Sequence, residues 1–457
     1  MPLKFVFGPS GSGKSTYLYQ HVIEESEKYP LKNFIVLVPE QFTMQTQKDL
    51  VSMHPRHGIM NIDVLSFARL AYRVFEETGT KQMQVLDDEG KNLILRKIAG
   101  DYENKLTVLK GNIKKLGYIS EVKSVISEFT QYDIGEEEMD EMLDHLDEDS
   151  RLYYKLKDIR LLYEGFQDYL RERYITKEEL LDVLNSQVKE SELLKNSVVV
   201  LDGFTGFTPV QNRLILELMR CCKEVWVTVT MDERENPYAY KHPYQLFGLS
   251  KQMVTTLVRM AGGDHIEVEE PVCLYGYPVK RFEKNQELAF LERNIFRYGA
   301  GRYDKAVENL EIHAAGNPRQ EADAVAEGIR RLVRKEQYRY RDIGVIVSDM
   351  NVYGDYLEQA FENYGIPVFM DHKRSILLNS FVEYIRSLLN MAEKNFSYES
   401  VFRFLRTNLA GFACEEVDEL ENYVLGLGIR GYKGWQNRWI RRLKGMEEEE
   451  LDRLNHY

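Results

Sequence analysis

Residues 8–16 read G-P-S-G-S-G-K-S-T and follow an apolar run at Leu3, Phe5, Val6 and Phe7. The spacing fits G-x-x-x-x-G-K-[ST] at each fixed position. Each position has a physical task. Gly8, Gly11 and Gly13 let the backbone curl until successive N–H groups converge on one anion. Lys14 carries a point charge to the β- and γ-phosphates, and Ser15 offers its hydroxyl to Mg²⁺. From Thr16 the pattern is helical through residue 25, so a helix N-terminus faces the same anion. A strand before and a helix after are the context this signature requires. Gly8, Pro9, Ser10, Gly11, Ser12, Gly13, Lys14, Ser15 and Thr16 are therefore expected to cradle ATP. A glycine-rich turn that meets the pattern by chance is the bland alternative.

The totals bound the rest. The chain has 457 residues, room for roughly two to four domains. Its 44% hydrophobic and 29% charged content is that of a soluble globular protein. No run approaches the ~18 apolar residues of a membrane span, so no membrane association is expected. The strand beginning at Leu3 predicts that no secretory leader precedes it. Cys221, Cys222, Cys273 and Cys414 lack C-x-x-C spacing and read as reduced thiols of a cytoplasmic protein, not as a metal or iron–sulfur site. A net charge of −13 argues against a protein that coats nucleic acid indiscriminately, and leaves room for a local basic groove.

Strands alternate with helices at first. Residues 34–38 (F-I-V-L-V) suit a buried parallel strand, 42–50 a helix, 61–66 a third strand, and Phe67, Leu70, Ala71 and Val74 one helix face. From residue 85 to 196 strand signals give way to charged helical patterns. Leu152, Leu156, Ile159, Tyr163, Phe166 and Leu170 form one apolar face, and Thr176 with Glu179 a capping box. Residues 198–201 (V-V-V-L) and 225–230 resume the sheet. Asp202, at a strand end far from the phosphate loop, is where such folds place a Mg²⁺-water ligand; a turn-capping aspartate is the alternative. Residues 310–314, 343–348 and 366–370 are predicted strands, separated by helices over 319–334 and 353–364. The run 375–457 is helical. The fold class is thus α/β.

This order, a P-loop domain, a helical insertion, a return to the sheet and a second α/β unit, resembles superfamily-one DNA helicases with RecA-like parallel sheets. Residues 202–211 read D-G-F-T-G-F-T-P-V-Q, where an active helicase of that group has a sequence like D-E-F-Q-D-T-S-P-L-Q. Asp202, Phe204, Pro209 and Gln211 match. The chain as a whole resembles the AddB (RexB) family, the non-motor partners in AddAB-type ATP-dependent helicase–deoxyribonucleases. The segments that carry the likeness are G-P-S-G-S-G-K-S, L-V-P-E-Q at 37–41, V-L-S-F-A-R at 64–69, L-D-G-F-T-G-F-T-P at 201–209, Y-R-D-I at 340–343 and G-I-P-V-F at 365–369. The resemblance implies residues 1–84 plus 197–302 as a first RecA-like domain and 85–196 as an insertion. It implies 303–372 as the start of a second RecA-like domain and 373–457 as a further helical region. It also implies an AddA-type motor partner in a heterodimer, DNA as substrate, and a role in double-strand-break repair by homologous recombination.

The departures carry as much information. Gly203 stands where a translocating helicase has the glutamate that activates water, and Thr205 and Gly206 replace the Gln and Asp that couple nucleotide to DNA. The resemblance therefore implies ATP bound with Mg²⁺ at Ser15 and Asp202, and no catalytic residue in this chain. The family's nuclease domain and iron–sulfur cluster belong to longer chains and have no counterpart here. Two rivals stay open: a self-sufficient P-loop ATPase or kinase, and a scaffold with a vestigial nucleotide site. Two basic stretches, Arg330, Arg331, Arg334 and Lys335, and Tyr432, Lys433, Trp435, Arg438, Trp439, Arg441, Arg442 and Lys444, are read either as single-strand contacts or as solvated surface.

Overall fold

The computed structural model describes residues 2–79, 84–113, 115–171, 174–299, 301–370 and 376–457. They form two units, Met1–Glu311 and Ile312–Tyr457. The first is built on strands β1 (Leu3–Gly8), β2 (Asn33–Leu37), β3 (Ile62–Leu65), β6 (Ser197–Leu201), β7 (Glu224–Thr230) and β8 (Val272–Cys273). Their spatial order is β3-β2-β6-β7-β1-β8, with every neighbouring pair parallel. A wholly parallel sheet gathers all the carboxyl ends of its strands at one edge, where α/β sheets bind ligands.

The period-2 alternation of the strands explains why helices cover both faces. Leu3, Phe5 and Phe7 of β1 join Ile35, Leu37, Val199, Leu201, Val225 and Val227 on one side, under α3 (Phe67–Thr78) and the helices Pro209–Cys221 and Gly248–Gly263. Val6, Phe34, Val36, Val198, Val200 and Trp226 point the other way, against Leu18, Val22 and Ile23 of α1 (Lys14–Lys28) and Leu50 of α2 (Thr43–Met53). Each such large apolar side chain contributes about 1.5–3 kcal/mol on burial.

Between β3 and β6 lies a helical segment with a core of its own, in which Leu95, Ile98, Ile126, Met139, Leu162 and Phe166 meet. Two short parallel strands frame it, β4 (Gln84–Leu86) and β5 (Tyr174–Thr176), which the helical patterning concealed. Tyr163, Phe166 and Leu170 of the predicted apolar face are buried, but Leu152 is 58% exposed: the face ends before the first turns of the helix Arg151–Leu170. The Thr176–Glu179 box closes as expected, with Thr176 N–H donating to Glu179 Oε2 at 2.8 Å and Glu179 N–H to Thr176 Oγ1 at 3.3 Å. Asp158, 2% exposed, accepts N–H bonds from Thr107, Val108 and Leu109, which pins that loop to the long helix.

The second unit departs from its strand pattern. Helices Pro318–Lys335 and Met350–Asn363 form, and pack through Ala322, Ala326, Ile329, Leu357 and Phe361. Residues 310–314, 343–348 and 366–370 enter no strand. Their β-branched and aromatic residues find no neighbouring strand edge among the described residues, and a strand persists only when its backbone groups are paired. Ile312, Ile346 and Phe369 are accordingly 91%, 100% and 89% exposed. Further on, Phe402, Leu420, Tyr423, Trp435 and Trp439 build a helical core. Among the described residues no helix is long and apolar enough to cross a membrane.

Candidate functional site

The loop after β1 opens directly into α1, whose N-cap is Gly13, with no side-chain cap. The first-turn N–H groups of α1 have no intrahelical acceptor, as at any helix start. Gly11 and Gly13 hold φ of 84° and 93°, the left-handed region that favours glycine, and a Cβ on Gly8 would overlap Ser12 Oγ. Ser12 Oγ is itself buried with no hydrogen-bond partner among the described residues, so a polar atom inside the loop is open to a ligand. Lys14 folds back across the loop and donates to Gly8 O and Pro9 O, both at 2.9 Å. Burial holds its ammonium down to about 8, against the pull of Asp202 and with the nearby Arg281 pushing the same way. The residues present fit a phosphate chain: open N–H groups, an unpartnered hydroxyl and a lysine.

Asp202 lies at the carboxyl end of β6, two strands from β1, and still reaches the loop. Its N–H donates to Leu37 O of β2 at 3.0 Å, and its carboxylate, 5% exposed, accepts from three hydroxyls. Ser15 Oγ donates to Oδ1 at 3.1 Å, Thr228 Oγ1 to Oδ1 at 2.6 Å, and Tyr19 OH to Oδ2 at 2.7 Å. The pairing of Ser15 with Asp202 brings together the two predicted Mg²⁺-side residues. It is the contact that a divalent cation with hard oxygen preferences would share. Tyr19 and Thr228 escaped the sequence reading. Tyr19 is four residues beyond Ser15, hence on the same face of α1. Thr228 carries no local signal: it is placed by the β6–β7 register, in which Leu201 pairs with Val227. Burial and the Asp202 carboxylate raise the Tyr19 phenol well above its ordinary value, so it stays a donor.

The rest of the D-G-F-T-G-F-T-P-V-Q stretch is scaffolding. Phe204 and Phe207 pack on Phe67 with ring centroids 5.4 and 6.4 Å away. Pro209 begins the next helix. Thr208 and Gln211 close a capping box, Thr208 N–H to Gln211 Oε1 at 3.0 Å and Gln211 N–H to Thr208 Oγ1 at 3.4 Å. Gly203 has φ of 79°, and its N–H donates to Thr228 Oγ1 at 3.3 Å. A side chain there has room, with Pro39 Cδ 3.7 Å from a Cβ, but the backbone is strained for any L residue. Gly203→Ala is therefore expected to cost ~1–2 kcal/mol, seen as a lower midpoint in urea unfolding. An unchanged midpoint would mean that the turn relaxes out of the left-handed region.

In the second basic stretch the two tryptophan rings pack inward, while Tyr432 is 50% exposed. Trp435 Nε1–H donates to Phe396 O at 3.2 Å and Trp439 Nε1–H to Gly434 O at 2.9 Å, both rings lying in the core of the second unit. Arg438 pairs with Asp452 at 2.7 Å, and Arg330 donates to Tyr340 OH at 2.7 Å.

Residues 5–292 match the family model described as "ADDB, N-terminal". Three curated relatives are each the B-type component of an ATP-dependent helicase/deoxyribonuclease. That of Lachnoclostridium phytofermentans is 44% identical over 463 residues, 100% of this chain and 40% of its own length. Those of Caldanaerobacter subterraneus and Clostridium acetobutylicum are 36% and 32% identical, again over 100% of this chain, and 39% and 40% of their own. The chain thus spans about two-fifths of the length of the relatives it matches.

Proposed function

Because the chain belongs to the AddB N-terminal family, we propose that it is the nucleotide-binding part of an AddB-type component in an ATP-dependent helicase–deoxyribonuclease. Its role is to bind ATP and sense it while an AddA-type motor, its heterodimeric partner, drives translocation along DNA during recombinational break repair. The observation that carries this reading is the meeting of Lys14, Ser15 and Asp202 at the carboxyl edge of a parallel sheet. On it, residues 8–16 hold the phosphates and Ser15 with Asp202 holds Mg²⁺, which screens phosphate charge when bound. Lys14 supplies fixed positive charge, the α1 N–H groups orient the anion, and Tyr19 and Thr228 hold Asp202 in place. Residues 1–84 with 197–302 are then a RecA-like domain, 85–196 an insertion, 303–372 the beginning of a second such domain, and 373–457 a further helical region.

Gly203 leaves the position beside Asp202 without a base, so hydrolysis by this chain is slow. The test is Mg-ATP binding and single-turnover hydrolysis, with and without single-stranded DNA. Binding with negligible turnover is expected. Brisk turnover by the unmodified chain would end the sensing role. Gly203→Glu is expected to bind ATP and gain no turnover, because the left-handed backbone at 203 strains the side chain's placement.

Nucleotide affinity also depends on pH. Free Lys14 titrates near 8, and a bound phosphate chain restores its proton. Above pH ~8 binding must take up a proton, so affinity falls by up to ~10-fold per unit toward the ordinary lysine range. Stability moves the opposite way. The folded, nucleotide-free chain binds fewer protons at Lys14 than the unfolded chain between about 8 and 10.5, so this group makes stability rise with pH there. Calorimetric titration from pH 7 to 9.5 checks the first effect, and a flat profile would mean that Lys14 does not meet the phosphates.

A further inference from the structure

The apolar face of the helix Arg151–Leu170 starts before its buried part, at Leu152 and Leu156, and there it lines a groove of about 780 Å³. The helices Leu116–Gln131 and Glu136–Asp144 supply the other walls. Phe129, Leu146 and Leu156 line it half-buried, while Tyr132, Met142 and Leu152 are 54%, 40% and 58% exposed. Apolar side chains scattered singly over a surface need no explanation. Several that share one concavity mark a surface that is covered in use.

The charge around the groove is one-sided. Residues 132–149 hold ten Asp and Glu and no Lys or Arg. Some are committed: Asp133 pairs with Arg213, Asp140 with Arg160 at 2.9 Å, and Glu138 Oε2 accepts Gly135 N–H at 2.9 Å. Glu141, Asp144 and Glu148 are exposed and form no ion pair among the described residues. Glu138 and Glu141 line the groove itself, where Lys155 is the one lysine or arginine among the described residues. Tyr132 and His145, also in the lining, are the C-caps of two of the walls, so the carbonyl ends of both helices add partial negative charge.

These walls also decide how a guest can be held. Their backbone groups are bonded within helices, so no strand edge is offered for an extended peptide to join. Recognition falls to side chains, as when one helix lies in a groove between others. We propose that this groove docks an amphipathic helix of a protein partner, apolar on the face it buries and carrying lysine or arginine along its flanks. From Leu152 to Ile159 the groove follows ~10 Å of helix, which two turns of a guest anchored at i, i+3, i+4 and i+7 would span. None of its lining residues belongs to the loop 8–16 or to the surroundings of Asp202, so this inference stands apart from the nucleotide reading.

The probe is a fluorescent helical peptide of about 16 residues, with leucines at i, i+3, i+4 and i+7 and lysines elsewhere. It is titrated by anisotropy against the full chain, beside an acidic version with glutamate for lysine and a scrambled version of the same composition. The basic helix is expected to bind at least ~10-fold more tightly than either control. Leu152→Gln should weaken it by ~10-fold or more with no change in melting temperature, since that side chain is already largely exposed. Met142→Gln, on another wall, should act likewise, and Glu141→Gln should give a ~3-fold loss and a shallower dependence on salt. A chain of net charge −13 attracts any polycation, and the glutamines at 152 and 142 leave that charge unchanged. Undiminished binding by both variants, or equal binding of the scrambled peptide, would therefore overturn the groove. Equal binding of the acidic helix, or no binding at all, would overturn the basic partner. A concentration-dependent dimer of the chain, abolished by Leu152→Gln in sedimentation, would assign the groove to a second copy and overturn it too.

Discussion

Lys14→Ala is expected to lower Mg-ATP affinity by ~100-fold or more and to leave the chain folded. The loss follows from the charge. Each hydrogen bond between an ammonium and a charged oxygen contributes about 1.5–3 kcal/mol, and Lys14 stands where it can make two, so ~3 kcal/mol or ~100-fold is a lower expectation. The fold tolerates the change because burial already disfavours the charged lysine, whose two partners are the carbonyls of Gly8 and Pro9. The melting temperature is expected to stay within a few degrees. Undiminished ATP binding would show that the loop is not the phosphate site, and a collapse in stability would mean that the two carbonyl bonds matter more than the burial cost.

The second large effect lies away from the nucleotide. Lys91, 2% exposed, donates to Glu178 Oε2 at 2.7 Å and Ser127 Oγ at 3.2 Å. It ties the helix Asp88–Asp101 to the helix Leu116–Gln131 and to the turn after β5. Lys91→Ala is expected to destabilise by ~3–5 kcal/mol, because Glu178 is left charged and largely buried with its partner gone. The double variant Lys91→Met with Glu178→Leu should recover most of that loss, since neither charge then needs a partner. Urea unfolding of the three proteins measures both. A single-variant cost under ~1 kcal/mol would mean that water reaches Glu178 and screens it.

The helical segment shows how local pattern and tertiary packing divide the work. The spacing of Ile159, Tyr163, Phe166 and Leu170 is a property of one helix, so it was readable from the chain alone. Leu152 obeys the same spacing yet is 58% exposed, because no element among the described residues covers the first turn. The same limit accounts for residues 343–348 and 366–370, where β-rich composition is present and, among the described residues, a pairing edge is not. Trp435 and Trp439 sat among cations in a pattern that suits base stacking, and only the packing against Phe402 and Tyr423 turned them inward.

Sequence alone determined the glycine-rich loop, the strand before it and the helix after it, the alternation of β1, β2 and β6, and the place of Asp202 at the end of a buried strand. These are short-range features: glycine spacing sets a loop, period 2 sets a buried strand, and a polar residue at the end of such a strand stands out. The tertiary structure decided which strand lies between β1 and β6, and so which hydroxyl, that of Thr228, holds Asp202. It also decided that a turn as distant as Lys280–Phe282 lies on Gly11. Strand order and docking are set by how faces of distant elements pack together, and no local spacing in the chain records which distant partner a face will meet.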